Sequence, residues 1–140
     1  MVDNLSPAQR SLCMSRVRSK DTDIELAMRS ALRREGLRFK MNVRGLPGSP
    51  DIVFTKSKVA VFLDGDFWHG YRFTRWAHTV SPFWQKKIAL NRARDQRNFR
   101  RLRRTGWRVV RVWQHEIRSD LEPAVCRIVN ALAAAQASAS

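Results

Sequence analysis

The chain has 140 residues, 44% of them hydrophobic, which is one domain's length with enough apolar material for a core. Lys and Arg number 27 against 12 Asp and Glu, a formal charge of +15, so the expected partner is a polyanion, and five Trp and seven Phe able to stack on bases point to nucleic acid. Cys13 and Cys126 form no CxxC pattern, no apolar run reaches membrane length, and the N-terminus lacks a signal-peptide core, which argues against a disulfide framework, a zinc knuckle and a membrane partner and leaves a cytoplasmic protein as the expectation.

Ser6-Pro7-Ala8-Gln9 supplies an N-cap, a proline at the first helical position and a glutamine at the third, so a short helix is expected over residues 7–16, carrying Met14. Thr22-Asp23-Ile24-Glu25 is a capping box for a second helix, which runs to Arg34 and stops at Gly36. Its apolar face is Ile24, Met28, Ala31 and Leu32, and the capping position by itself explains Glu25. Leu37 to Val43 reads as a strand, followed by the turn-rich stretch Gly45 to Pro50.

The next stretch organises the chain. Ile52-Val53-Phe54 and Val59 to Leu63 are β-branched-rich runs joined by Lys56-Ser57-Lys58, the pattern of an antiparallel hairpin. The start of one strand then lies beside the end of its partner, so Asp51 should approach Asp64 and the chain leading to Asp66 and His69. Each aspartate alone reads as a turn residue, because Pro-Asp and Asp-Gly are common turn dipeptides. Together, beside His69 and the paired aromatics Phe67 and Trp68, they read better as a site. Crowded carboxylates repel unless a cation sits among them, and oxygen ligands with one imidazole favour Mg²⁺ or Mn²⁺.

Tyr71 to His78 is basic and aromatic without periodicity and reads as a loop. Ser81-Pro82 opens the longest helix, running to about Arg104. Trp84, Ile88, Asn91, Asp95, Phe99 and Leu102 form one stripe along it. Asp95 is the exception on that stripe, either paired to a neighbouring arginine or aimed into a polar site. The other faces carry Lys86, Lys87, Arg92, Arg94, Arg97, Arg100, Arg101, Arg103 and Arg104, a single-sign run suited to phosphate contact. Trp107 to Trp113 reads as a strand for the sheet centre. Ser119-Asp120-Leu121-Glu122 caps a final helix that presents Leu121, Val125, Ile128 and Leu132 to the core, and the tail over residues 136–140 is expected to fray.

Pro50-Asp51, a strand, and then Phe62-Leu63-Asp64-Gly65-Asp66-Phe67-Trp68-His69-Gly70 resemble the very short patch repair (Vsr) endonucleases. These are a branch of the restriction-endonuclease-like fold, similar to PD-(D/E)xK nucleases but with a histidine in the catalytic set, and the resemblance runs from Arg10 to about Leu121. It implies an α/β fold with a central mixed sheet flanked by helices, in a single endonuclease domain. The implied activity is Mg²⁺-dependent nicking of double-stranded DNA on the 5′ side of the T in a T:G mispair, by a monomer that can work with mismatch-repair proteins.

The resemblance also implies a division of labour. Asp51 would hold the cation together with the main-chain carbonyl of Leu63. His69, whose ordinary pKa of about 6.5 suits a general base, would activate water, with Asp95, Asp64 and Glu25 completing the catalytic set. Phe67, Trp68 and Trp84 would wedge into the duplex, with Met14 entering from the other side. Two other readings compete: a Vsr-like nuclease acting on matched DNA in restriction, defence or homing, and a non-catalytic basic DNA-binding module. The second is disfavoured by Asp51, His69 and Asp95, where a binding module would gain from lysines.

One departure from the family pattern stands out. Well-known members carry a structural zinc held by cysteines and a histidine around the wedge loop, whereas this chain has Asp66, Tyr71, Phe73 and His115 at the matching positions. Two of those four cannot serve at a closed tetrahedral site, so no structural zinc is expected.

Overall fold

The computed structural model describes residues 23–139. The helix expected over residues 7–16, with Met14, and the Thr22 cap lie outside the described residues. Helix α1 covers residues 23–34. It is followed by β1 (Lys40–Met41), β2 (Ile52–Phe54), β3 (Val59–Asp64), α2 (Phe73–Trp76), a 3₁₀ turn (Ala77–Thr79), α3 (Pro82–Arg104), β4 (Arg108–Trp113), α4 (Gln114–Ser119) and α5 (Glu122–Ala139). The strands form one mixed sheet in the order β1-β2-β3-β4. The hairpin pairings are antiparallel and β3 pairs β4 in parallel, as a connection long enough to hold α3 allows. This is the mixed α/β architecture of the restriction-endonuclease-like class.

The period-two alternation of the strands sorts side chains to two faces. Ile52, Phe54, Val59, Val61, Leu63 and Val112 join one core with Ile24, Met28 and Leu32 of α1 and Val125 and Ile128 of α5. Ala60 and Phe62 point the other way and pack on Phe99 and Leu102 of α3. The same parity sends Asp51, Asp64 and Arg111 to the α3 side, and it is this sorting that builds the site. All six residues of β3 are buried, so the strand ending in Asp64 is the rigid centre of the sheet.

Several elements differ from the sequence expectation. The first strand is two residues long, because Asn42 takes φ 52° and turns the chain out of the ladder. Strand β4 lies at the edge of the sheet among the described residues, not at its centre. Side chains cover part of that edge: Arg127 of α5 donates to the Arg111 carbonyl, and Glu116 accepts from the Trp113 amide. Helix α4, unforeseen in the sequence, brings Glu116 there. Tyr71 to His78 is not a loop throughout, since α2 and the 3₁₀ turn occupy Phe73 to Thr79. Helix α5 continues through the tail to Ala139, with Arg108 donating to Ser138 Oγ at 2.9 Å. No helix among the described residues is long and apolar enough to cross a membrane.

Candidate active site

The hairpin register places Ile52 opposite Val61, so Asp51 falls beside the end of β3 as its sequence position predicts. The Leu63 amide donates to Asp51 Oδ2 at 2.7 Å and fixes that carboxylate against the strand. On the same face, α3 contributes its one acidic stripe residue. His69 Nδ1 lies 2.7 Å from Asp95 Oδ2, and since an ionised carboxylate only accepts, Nδ1 carries the proton of that contact. The opposite ring nitrogen, Nε2, lies 3.5 Å from Asp64 Oδ1. Glu25, Asp51, Leu63, Asp64, His69 and Asp95 line one cleft of about 420 Å³.

Two further contacts hold the loop after β3 to α3. Asn91 Nδ2 donates to the Trp68 carbonyl at 3.0 Å. Gly70 takes φ +68°, and a Cβ there would meet Arg92 Cδ at 2.7 Å and Ile88 Cγ2 at 2.8 Å. Only glycine combines that backbone with so close an approach, and the approach sets His69 against Asp95.

Burial raises the Asp51 pKa from 3.8 to about 7; the Leu63 hydrogen bond and His69 oppose the rise, while Asp64 and Glu25 add to it. Burial also raises Asp64, against the pull of His69 and Arg111. For His69, burial favours the neutral ring, but the Asp95 hydrogen bond and the two nearby acids outweigh it and the pKa ends above its ordinary 6.5.

Asp64, His69 and Asp95 offer ligand atoms that all lie within 4.8 Å of one another, a spacing compatible with a metal. The cation already there is Arg111. Its Nε donates to Asp64 Oδ2 at 2.8 Å and its Nη2 to Asp95 Oδ2 at 2.9 Å. Asp51 has no such partner among the described residues: it is a half-buried acid beside two further acids, Asp64 and Glu25, with one oxygen tied to an amide. A hard divalent cation therefore fits Asp51 and the adjacent Leu63 main chain better than it fits the cluster that Arg111 neutralises.

Of the remaining expected site residues, Glu25 lines the cleft and pairs with Arg29 one turn along α1 at 3.3 Å. Phe67 and Trp68 are half-buried. Trp84, expected as a third wedge, is only 6% exposed, with its ring 5.4 Å from Phe67 and 6.2 Å from Trp68. It lies beneath the loop aromatics as their support, consistent with its place on the buried stripe of α3. Met14 is outside the described residues.

The corner formed by Asp66, Tyr71, Phe73 and His115 is closed by contacts among rings and one polar pair. Asp66 Oδ1 and His115 Nδ1 contact each other at 2.9 Å, the Tyr71 ring lies 4.4 Å from His115 and 5.0 Å from Trp113, and Phe73 packs on Trp76. Two donors that satisfy one another, among rings that cannot ligate, do not make a four-coordinate zinc site.

Sequence reasoning missed Arg111 and gave Asn91 no role. A signal for Arg111 was available: in a strand whose Val110 and Val112 face one core, it stands with Val109 and Trp113 on the face turned to α3.

A mixed sheet that gathers aspartates and an oriented histidine in one cleft, on a chain of charge +15, defines a restriction-endonuclease-like nuclease. Comparison with known proteins narrows the class. Residues 2–75 match the family model described as DNA mismatch endonuclease Vsr. The chain is 45% identical over 134 residues to the Type II nicking enzyme V.XorIIP of Xanthomonas oryzae pv. oryzae, covering 94% of this chain and 98% of the relative. It is 40% identical over 119 residues to V.NmeDIP of Neisseria meningitidis serogroup C, with 83% and 80% covered, and 37% identical over 120 residues to DNA mismatch endonuclease Vsr of Escherichia coli K12, with 84% and 77% covered. The chain belongs to the Vsr family and is a DNA endonuclease, a phosphodiester hydrolase.

Proposed function

We propose that this endonuclease nicks one strand of double-stranded DNA on the 5′ side of the T in a T:G mispair, with Mg²⁺ or Mn²⁺ as cofactor. The observation that carries the reading is the Asp95-oriented His69 in the same cleft as the cation-seeking Asp51. With Nδ1 engaged by Asp95, Nε2 is the nitrogen left to take a proton from the attacking water, and Asp95 fixes both tautomer and ring orientation. Asp51 and the Leu63 main chain would hold the metal, and Asp64 borders Nε2. A bound divalent cation supplies charge neutralisation at the scissile phosphate and acidifies water.

The nine cations of α3 are all exposed and, among the described residues, none is in an ion pair, which suits them to backbone phosphates. Phe67 and Trp68, standing on Trp84, act as the wedge. Unstacking a base step costs about a few kcal/mol and costs less at a mismatch, so insertion itself favours the mispair.

The test is nicking of duplexes labelled on either strand, with T:G or matched pairs at one position. Cleavage of the T strand alone, at the mispair and only with divalent metal, is expected. Equal cutting of matched DNA would replace mismatch repair with the restriction or defence reading.

A further inference from the structure

We propose that Arg111 is a positioning residue for hydrolysis: its guanidinium is the internal cation that holds the Asp64 and Asp95 carboxylates on either side of the His69 ring. The inference rests on the nuclease reading above and adds to it a residue on a different element from the rest of the set. Four side chains close a ring of contacts. Arg111 reaches Asp64 at 2.8 Å and Asp95 at 2.9 Å, and those two acids meet His69 at Nε2 (3.5 Å) and Nδ1 (2.7 Å).

The clamp is itself braced. The Arg111 guanidinium carbon sits 4.1 Å from the centroid of the Trp113 ring and 5.1 Å from that of Phe99. Contact with two ring faces restricts where the fork can sit as well as where its charge lies. The register explains how it arrives there: β4 runs parallel to β3 with Phe62 opposite Arg111, and Asp64 is the next residue on the same face as Phe62.

The physical need for such a residue is plain. Asp64 and Asp95 are 4% and 7% exposed, and two buried carboxylates flanking one imidazole repel each other. A guanidinium presents separate N–H groups to separate acceptors, so it both neutralises the pair and sets the distance between them. Asp95 Oδ2 accepts from Arg111 and contacts His69 Nδ1 with one oxygen, so the angle of the imidazole depends on where Arg111 holds that oxygen. Without it, the acids can separate or draw in protons and the His69 ring loses its fixed direction toward the cleft.

Arg111→Lys and Arg111→Ala provide the test, with single-turnover nicking, DNA affinity, melting temperature and the ¹⁵N signals of the His69 ring as readouts. Lysine keeps the charge but offers a single ammonium in place of a fork. The expected Arg111→Lys protein folds, binds DNA with little change, cuts about 10²-fold more slowly and shows a shifted or lost Nδ1–H signal. In Arg111→Ala, guanidinium ion at millimolar concentration, far below the molar range that unfolds proteins, should restore part of the rate. A parental rate and an unchanged imidazole signal in Arg111→Lys would overturn the proposal. So would a loss in Arg111→Ala that only tracks the unfolded fraction and is not rescued by guanidinium. The ring signals are read without DNA, so a parent protein that cut no DNA would sink the nuclease reading and still leave Arg111's role decided.

Discussion

His69 and Asp95, 26 residues apart in sequence, meet at 2.7 Å and tie the loop after β3 to the middle of α3. This contact makes Nε2 the basic nitrogen of the ring. Asp95→Asn tests it, because an amide can donate to Nδ1 and so favour the tautomer with the proton on Nε2. The expected loss of single-turnover rate is about 10²- to 10⁴-fold with DNA binding retained. An Asp95→Asn enzyme that nicks at the parental rate would remove Asp95 from the mechanism.

Asp51 gives a pH prediction of definite sign. Its pKa is raised from 3.8 to about 7, so over that window the folded chain binds more protons at this carboxyl than the unfolded chain does. The stability tied to this group is then fully present at low pH and falls as pH rises to about 7. Divalent metal must displace the proton, so the rise in melting temperature on adding Mg²⁺ should be larger at about pH 8 than at about pH 6 and absent in Asp51→Asn. The pKa of His69 is raised above 6.5 as well, which puts the rising limb of the nicking rate on the alkaline side of an ordinary imidazole. An Mg²⁺ effect equal at both pH values would contradict the placement of the metal at Asp51.

The hairpin and the α3 stripe were legible in the sequence because their signals are periodic. Asp51, Asp64 and Asp95 each sit at a position whose face is fixed by counting from buried neighbours. Arg111 escaped because an arginine in a strand reads as solvent-facing until the partner face is known, and here that face holds two acids. Helix α4 has Trp113 rather than a Ser, Thr, Asp or Asn at its N-cap, and no apolar run long enough to announce it. The short helix over Phe73–Trp76 escaped because Arg72, its N-cap, takes a left-handed φ of 52° and brings no capping side chain. Trp84 carries two signals, a family resemblance that places it with the wedge and a stripe position that places it on the buried face, and in the structure it is 6% exposed.

The aromatic residues of the loop and of α3 separate by function. Trp84→Ala removes a ring only 6% exposed and should cost about 3 to 5 kcal/mol of stability. Trp68→Ala, at a half-buried position, should instead reduce discrimination between T:G and matched duplexes with a smaller change in melting temperature. Reversal of that order would assign Trp68 to packing and Trp84 to recognition.

Asp66 and His115 contact each other at 2.9 Å with the Tyr71 ring tilted against His115, which leaves this corner short of zinc ligands. Protein purified without chelator should therefore carry substoichiometric zinc by elemental analysis and keep its melting temperature in the presence of a chelator. One zinc per chain, lost together with the fold on chelation, would show that other ligands complete the site.

If Asp51 and His69 act together in one hydrolytic cleft, single-turnover nicking of a T:G duplex with Mg²⁺ should fail in both Asp51→Ala and His69→Ala. Both variants should bind the duplex about as tightly as the parent and cut it at a rate close to background. Parental cutting by either variant would remove that residue from the hydrolytic site.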